Sequence, residues 1–446
     1  MPITFCVSQE PQNTIESKGI DFMDLSSENV HGRDIIIINP YTEGGGDHAL
    51  AKKIANIALD EGCRVTISSM DVSYGKEGCN KKYQNYSLRD EEPHHISQLN
   101  NPLFIISPVG IANAYTLGKH IENICEEFKF GRNDIILIEE MDLLVPSDRK
   151  LKNYSDMLKN IGFSNISENK LGFGHGAIGY IPTDEQTINE IKSRFEGELI
   201  KLLDGYNVSL SKDNSYHLGY ISSGSYITGA QVFIANTLCE TTNDERNAIF
   251  IMSLRQLNQY RKPIVINAIK NILTFKKEDF DYTVLFSKAT IVTVNSDSGD
   301  IESRDEITGS GTKEISIILT NKIQKNIYDD FLLLADTGMS SGDQSLSEYL
   351  SLKGKLPYYD MQPWKYPLVE SIKELGGKDL ENYLNHKFVG RAPFSGRENY
   401  SFISNVTQPT STPEQLSEID GLDKKISSNT ATEHISDLIR SRINQE

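Results

Sequence analysis

The sequence predicts an α/β fold built from two doubly wound halves. In residues 33–71 a strand, a glycine turn, a helix and a second strand follow one another. The first strand, "DIIIIN", is apolar throughout, as expected for a parallel strand covered on both faces. The same rhythm restarts at "YHLGYISSGSYITGAQVFIANTLCE" in the second half. At 446 residues the chain exceeds one ordinary domain, so two domains with sizeable cores are expected.

The first half alternates strands with helices. Its first helix carries Leu50, Ile54, Ile57 and Ala58 on one apolar stripe, the pattern of a helix that packs against a sheet. The segments "NPLFIISPVG" and "NDIILIEEMDLL" indicate two more strands with a helix between them. A helical segment near 184–203 is expected to close this half.

The second half is expected to repeat this architecture. A helix is predicted near 244–260, and strands near "KPIVIN", "YTVLF", "ATIVTV" and "EISIILT". A ligand cleft between the two domains would face the carboxyl ends of both sheets. The predicted organisation is an N-terminal arm (1–32), an N-terminal Rossmann-like domain (33–205), a C-terminal Rossmann-like domain (206–390) and a polar C-terminal extension with a terminal helix (391–446).

Composition and charge exclude several classes of protein. The net charge of −17 argues against a nucleic-acid partner, because phosphate backbones require basic patches. No apolar stretch is long enough to span a bilayer, and the start, "MPITFCVSQEPQ", has no evident signal peptide. The five cysteines are odd in number and lack paired metal spacing, which favours a reducing compartment such as the cytoplasm.

A glycine turn follows the first strand, in "INPYTEGGGDHALAKK". Gly44, Gly45 and Gly46 allow positive φ and leave no side chain to block a ligand at the start of the helix. Asp47 and His48 are candidate general bases, although Asp47 could instead be a helix N-cap. The dinucleotide fingerprint G-x-G-x-x-G is absent, so no nicotinamide or flavin cofactor is expected.

A second small-residue turn lies in "ADTGMSSGDQSLSEYL", between two helical patterns. The new helix offers backbone N–H groups flanked by hydroxyls, a site for a diphosphate that needs no metal. Glu348, one turn into this helix, is spaced to reach a ribose hydroxyl. Alternatively, Ser345 and Glu348 form a capping box in which Glu348 binds only backbone.

Together these two turns resemble the signatures of GT-B-fold glycosyltransferases. "GGGDHALAKKIANIALDEGCRVT" is similar to their N-terminal glycine turn, and "LLLADTGMSSGDQSLSEYLSLKGKLPYYDMQP" to their donor-binding signature. The protein-arginine rhamnosyltransferases of elongation factor P and the peptidoglycan N-acetylglucosaminyltransferase share parts of this pattern. The resemblance implies two Rossmann-like doubly wound domains facing across a cleft, the first for the acceptor and the second for the nucleotide-sugar donor.

The resemblance also implies a role for individual residues. Asp47 would be the base or would orient the acceptor, with the glycine turn beside the reacting sugar. Glu348 would bind the ribose. A loop after the first strand of the second domain would close over the phosphates, although an ordinary polar loop is an equal alternative; it contains Ser222 and Ser223. The residues expected to hold the diphosphate and sugar are Ser341, Gly342, Asp343, Gln344 and Ser345.

The resulting hypothesis is a metal-independent inverting glycosyltransferase that uses a nucleotide-sugar donor and a protein or small-molecule acceptor. The alternatives are a nucleotide-sugar epimerase or hydrolase on the same fold, and a non-catalytic binding module. The motif at Asp279–Asp281 matches a metal-binding D-x-D, but it precedes a strand, which favours a solvated acidic loop. The composition would also suit an effector that a bacterium exports into a host cell.

Overall fold

Most of the chain is described by a computed structural model. Gly44, Asp279 and the predicted arm (1–32) lie outside the described residues. The structure describes residues 34–42, 45–72, 85–86, 99, 101–143, 147–194, 210–277, 280–391, 398–403 and 411–443.

The strands of the described residues lie in two large sheets and one short hairpin. In chain order they are β1 (Asp34–Tyr41), β2 (Arg64–Asp71), β3 (Asn85–Tyr86), β4 (Leu103–Ile106), β5 (Asp134–Glu139), β6 (Asn165–Lys170), β7 (Asn214–Ile221), β8 (Asn247–Leu254), β9 (Lys276–Lys277), β10 (Phe280–Asp281), β11 (Lys288–Val294), β12 (Ile301–Thr308), β13 (Glu314–Thr320), β14 (Thr337–Ser340), β15 (Tyr358–Met361), β16 (Phe388–Arg391) and β17 (Glu398–Asn399).

The helices alternate with these strands through both halves. They are α1 (Gly46–Asp60), α2 (Ala114–Phe128), α3 (Ser147–Asn160), α4 (Glu185–Arg194), α5 (Tyr226–Glu240), α6 (Lys262–Leu273), α7 (Lys325–Leu334), α8 (Asp343–Lys353), α9 (Tyr366–Gly376), α10 (Glu381–Lys387), α11 (Pro413–Ser427) and α12 (Thr432–Ile443). In the described part of the chain no helix is long and apolar enough to cross a membrane.

The N-terminal unit is built on a sheet with the strand order β3-β2-β1-β4-β5-β6. Every pairing in it is parallel except that of β2 with the two-residue β3. The order reverses between β1 and β4, which is the topological switch point of a doubly wound sheet. Ile35–Ile38 in β1 are fully buried, as the apolar run predicted.

The C-terminal unit contains the larger sheet, ordered β12-β11-β13-β8-β7-β14-β15-β16-β17. Its central strands, from β11 to β16, are parallel, and an antiparallel strand closes each edge. The direction of winding reverses between β7 and β14. The core on one face packs Phe233 of α5 edge-to-face against Phe250 of β8 and Tyr358 of β15.

These strand orders confirm the predicted α/β class, with two Rossmann-like doubly wound units. Within the second half, three element predictions were wrong. The predicted helix near 244–260 contains β8, whose run "NAIFIMSL" is buried as a central parallel strand. The segment "KPIVIN" begins α6, where a proline in the first turn starts the helix, and "YTVLF" forms a 3₁₀ turn.

The described residues form two compact units, and the chain passes between them more than once. The N-terminal unit comprises the described residues of Phe5–Glu140, Asp148–Lys170 and Ala431–Glu446, and the remaining described residues form the C-terminal unit. The chain after β6 lies in the C-terminal unit, where Ile181 O accepts a hydrogen bond of 2.6 Å from Ser347 Oγ, on α8. In contrast, α12 belongs to the N-terminal unit and buries Ile435 and Ile439 there.

Candidate functional site

The N-terminal switch point, formed by the carboxyl ends of β1 and β4 and the residues that follow them, is organised by Asn39. This side chain ends the apolar run of β1 and is fully buried. Its Nδ2 donates to Ser107 O at 2.9 Å, after β4, and to Asp47 O at 3.1 Å, at the start of α1. The amide group of Asn39 therefore links three segments: β1, the chain after β4 and the first turn of α1.

Helix α1 begins after a glycine, Gly45, in a left-handed conformation. Gly45 is the N-cap with φ 78°, a conformation that favours glycine, and no side chain caps this helix. The N-cap alternative for Asp47 was therefore wrong. Its Oδ2 instead accepts from the Thr42 amide at 3.0 Å and closes the turn between β1 and α1.

His48 lies half-buried beside Asn39. Its Nδ1 is 3.3 Å from Asn39 Oδ1. Burial lowers the pKa of the imidazole, and the positive charge of Lys52, one turn further along α1, lowers this pKa again. A pKa below the ordinary value of about 6.5 leaves His48 neutral at physiological pH, so that one ring nitrogen can accept a proton.

The C-terminal switch point, formed by the ends of β7 and β14 and the residues that follow them, is organised by Asp360. This carboxylate of β15 is fully buried. Its Oδ2 accepts from the amides of Ser222 and Ser223 at 3.2 and 2.9 Å, and Ser223 Oγ donates to Oδ1. Burial raises the pKa of Asp360, and these hydrogen bonds from the serines oppose that effect.

Two serine hydroxyls extend this network away from Asp360. Ser341 Oγ donates to Asp360 Oδ2 at 2.9 Å and lies 2.7 Å from Ser222 Oγ. A hydroxyl carries one hydrogen, so Ser222 is the donor to Ser341. Gln362 Nε2 in turn donates to Ser222 Oγ at 3.2 Å. A hydroxyl has two lone pairs, so the Ser222 oxygen retains capacity for one further donor.

Helix α8 begins directly after this network, at another left-handed glycine. Gly342 is the N-cap with φ 87°, and the space where a Cβ would stand is open. Asp343 Oδ2 accepts from Lys365 Nζ at 2.6 Å and from the Met141 amide at 3.0 Å. Ser345 Oγ donates to Ser341 O at 2.9 Å, which fixes the first turn of α8 to the end of β14.

Glu348 does not form the capping box that was its alternative role. Helix α8 starts at Asp343 and has no side-chain cap, so the sequence of Ser345 and Glu348 lies inside the helix. Glu348 Oε1 accepts from Gln344 Nε2 at 3.0 Å and lies 3.2 Å from Lys325 Nζ. Within the described residues no hydrogen bond reaches Oε2, so this oxygen can accept a ligand hydroxyl.

The structure thus brings all the predicted donor residues to one sheet edge of the C-terminal unit. Sequence reasoning missed two organising residues, Asn39 and Asp360, and also Lys365. The first two had a detectable signal, because each is a polar residue late in a mainly apolar strand. Lys365, which is 3% exposed, lies in a 3₁₀ turn and had no such signal.

No metal site is found in the part of the chain that the structure describes, where no three His, Cys, Asp or Glu side chains are grouped to hold an ion. Of the D-x-D motif, Asp281 Oδ1 accepts from the Thr283 amide at 2.9 Å, and Oδ2 pairs with Lys276 at 3.0 Å. Both oxygens of Asp281 therefore have partners within the chain, and the residue belongs to β10. Metal independence stays a prediction.

No family model matches this chain, and no curated protein does. Solved structures do match. The calicheamicin glycosyltransferase CalG4 is 10% identical, with 93% of this chain and 99% of that chain covered, at a TM-score of 0.43. A glycosyltransferase from Rickettsia africae ESF-5 is 10% identical, with 92% and 97% covered, at 0.41. The glycotransferase of kitacinnamycin is 9% identical, with 92% and 98% covered, at 0.43. The solved structures to which this chain is similar therefore include glycosyltransferases.

Proposed function

We propose that the protein is a metal-independent, inverting glycosyltransferase. It moves a sugar from a nucleotide-diphosphate sugar to a hydroxyl or nitrogen of a protein or small-molecule acceptor. The observation that carries the proposal is the first turn of α8, where an open glycine N-cap is followed one turn later by the carboxylate of Glu348. Helix N–H groups suit a diphosphate, and the carboxylate suits a ribose diol.

The contacts at the C-terminal switch point favour different tasks for the predicted donor residues. The amides of Ser222 and Ser223 are bonded to Asp360, so they contribute to the shape of the site and not to phosphate binding. The remaining lone pair of Ser222 and Oε2 of Glu348 both accept hydrogen bonds. Both therefore suit hydroxyls of a ribose or sugar, whereas the diphosphate is left to the N-terminus of α8.

The reaction would be a direct displacement at the anomeric carbon. The acceptor oxygen or nitrogen forms a bond to this carbon as the bond to the diphosphate oxygen breaks, which inverts the configuration. The acceptor loses its proton to a general base. The leaving nucleoside diphosphate keeps the electron pair of the broken bond, and the N–H groups at the start of α8 stabilise its negative charge.

Of the two predicted bases, the geometry favours His48. Asp47 Oδ2 accepts a hydrogen bond from the Thr42 amide, so this oxygen already holds the turn. The imidazole of His48 is kept neutral by burial and by Lys52, so it is ready to accept a proton near neutral pH. Asp47 then has a supporting role in shaping the turn.

A thermal-shift panel of nucleotides and nucleotide-sugars tests the donor site. We expect at least one nucleotide-sugar to raise the melting temperature, and Glu348→Gln to weaken that binding with little change in the melting temperature of the free protein. Glu374→Gln, at an exposed position of α9, is the matched control. Unchanged binding in Glu348→Gln would contradict the ribose assignment.

Incubation of the protein with the stabilising nucleotide-sugar, without acceptor, separates the alternatives. An isomerised sugar would identify an epimerase, and released free sugar a hydrolase. Binding without any turnover, even when candidate acceptors are supplied, would identify a binding module. Activity that a chelator abolishes and manganese restores would contradict metal independence.

A further inference from the structure

We propose that Asn39 is a positioning residue that confines the proton of neutral His48 to Nδ1 and thereby makes Nε2 the basic nitrogen. This inference deepens the proposed function and rests on it for the use of that nitrogen. The tautomer itself is a property of the free protein, and it can be measured whether or not sugar transfer occurs.

The first step is the orientation of the Asn39 amide. Nitrogen and oxygen of such an amide are distinguished by their partners, and here the partners leave one choice. The carbonyls of Ser107 and Asp47, at 2.9 and 3.1 Å, can only accept hydrogen bonds. The NH₂ group must therefore face them, and the amide oxygen must face His48.

The second step is the tautomer of His48. Asn39 Oδ1 has no hydrogen, so the contact of 3.3 Å to His48 Nδ1 is favourable only when Nδ1 carries the proton. In a neutral imidazole the other nitrogen then carries the lone pair. Asn39 is fully buried and fixed by two carbonyls, so it cannot turn its NH₂ group toward the ring without losing both bonds.

The charged groups around the ring agree with a neutral imidazole. Lys52, on α1, disfavours the imidazolium, and burial disfavours it more strongly. The neighbouring Asp47 carboxylate has Thr42 as a bonding partner, and the group of β1 that contacts the ring is the uncharged amide of Asn39. The side chain of Asn39 thus fixes which nitrogen is basic, while burial and Lys52 keep the ring neutral.

The test is long-range ¹H–¹⁵N NMR of the histidine rings in the full, uniformly labelled chain at pH 7.5. His48→Gln identifies the His48 signals by their disappearance. We expect the pattern of an Nδ1–H tautomer for His48. An Nε2–H pattern would overturn the proposal outright, whatever the activity of the protein.

Variants then test the role of Asn39. In Asn39→Leu we expect the proton to be shared between the two nitrogens, and in the control Asp47→Ala we expect the Nδ1–H pattern to persist. Asn39→Asp keeps an acceptor opposite Nδ1 but adds charge, so the Nδ1–H pattern should persist with a raised titration midpoint of His48. A folded Asn39→Leu that remains wholly Nδ1–H, or an unchanged midpoint in Asn39→Asp, would overturn the assignment. If Asn39→Leu does not fold, the wild-type tautomer and the Asn39→Asp midpoint still decide.

Discussion

The two sheets are closed at their switch points by side chains of opposite hydrogen-bonding character. In the N-terminal unit the amide of Asn39 donates to two carbonyls and keeps its oxygen for an imidazole. In the C-terminal unit the carboxylate of Asp360 accepts from backbone and hydroxyl groups, and leaves a serine oxygen as the outermost acceptor. We call Asn39 with its two carbonyl partners the donor clamp, and Asp360 with its donors the acceptor clamp. In the proposed function, the donor clamp supports the base and the acceptor clamp supports a binding surface.

The largest expected effect is on turnover, and it tests whether the N-terminal switch point carries the chemistry. His48→Gln should lower kcat by roughly two to four decades, the usual contribution of a general base. Donor affinity should barely change, because the predicted donor contacts lie in the C-terminal unit. Steady-state kinetics and the nucleotide thermal shift measure the two effects separately.

His175→Gln is the matched control for this prediction, since His175 is an exposed histidine of the C-terminal unit. We expect it to retain full turnover. Near-full turnover in His48→Gln, or a deep loss in His175→Gln, would show that His48 is not the general base. Either result would contradict the proposed division of roles between the two units.

The next effect is on stability, and it tests the acceptor clamp. Asp360→Ala leaves several buried donors without a partner, each costing about 1–3 kcal/mol, so the free energy of unfolding should fall by about 3–5 kcal/mol. Asp360→Asn should cost only about 1 kcal/mol, because one oxygen can keep the donors on Oδ2 while Ser223 Oγ reverses to accept from the new NH₂ group. Chemical denaturation measures both.

Equal losses in the two Asp360 variants would show that charge, and not hydrogen-bond polarity, holds this network. Reduced donor binding in folded Asp360→Asn, measured by thermal shift, would then follow from a loosened Ser341–Ser222 pair.

Reversing the donor clamp should have a moderate, pH-dependent effect. Asn39→Asp turns an oxygen toward the carbonyls of Ser107 and Asp47, which costs about 2–3 kcal/mol at pH 7.5. These carbonyls raise the pKa of the introduced carboxyl above its unfolded value, so the penalty is present above the folded pKa and disappears as the pH falls. Denaturation at pH 7.5 and pH 4.5 should therefore show a deficit, relative to wild type, that narrows in acid; a constant deficit would contradict the donor assignment.

The smallest effect is expected at Asp47. Asp47→Ala loses the bond to the Thr42 amide and should cost about 1 kcal/mol of stability, with turnover reduced by less than about tenfold. A loss of several decades at normal stability would restore Asp47 as the base. The same steady-state assay and denaturation curves provide this measurement.

Part of the fold was predictable because a parallel strand covered on both faces reads as a continuous apolar run. "DIIIIN" was predicted correctly as a parallel strand. The strand prediction at "KPIVIN" failed because β-branched residues outweighed the helical spacing of Val265, Ile269 and Leu273, which α6 buries. The spacing was visible and would have corrected the assignment.

The sites were harder to predict because their organising bonds join distant parts of the chain. Asn39 and its partner Ser107 are 68 residues apart, and Asp360 and Ser223 are 137 residues apart. Asn39 and Asp360 were visible in the sequence as polar residues late in their strands. Which residues they bond to depends on which strands become neighbours, and that follows from the winding of the sheet.

The return of the chain to its starting unit has a consequence for biosynthesis. Arg440 Nε of α12 donates to Glu61 at 2.6 Å, and Arg442 donates to Ser167 Oγ at 2.8 Å, so the N-terminal unit includes groups from both ends of the described chain. A ribosome releases the N-terminal sheet long before α12 exists. That sheet therefore waits for α12 until the C-terminal unit has been synthesised, and during this interval the surface that α12 covers is open to aggregation and to chaperones.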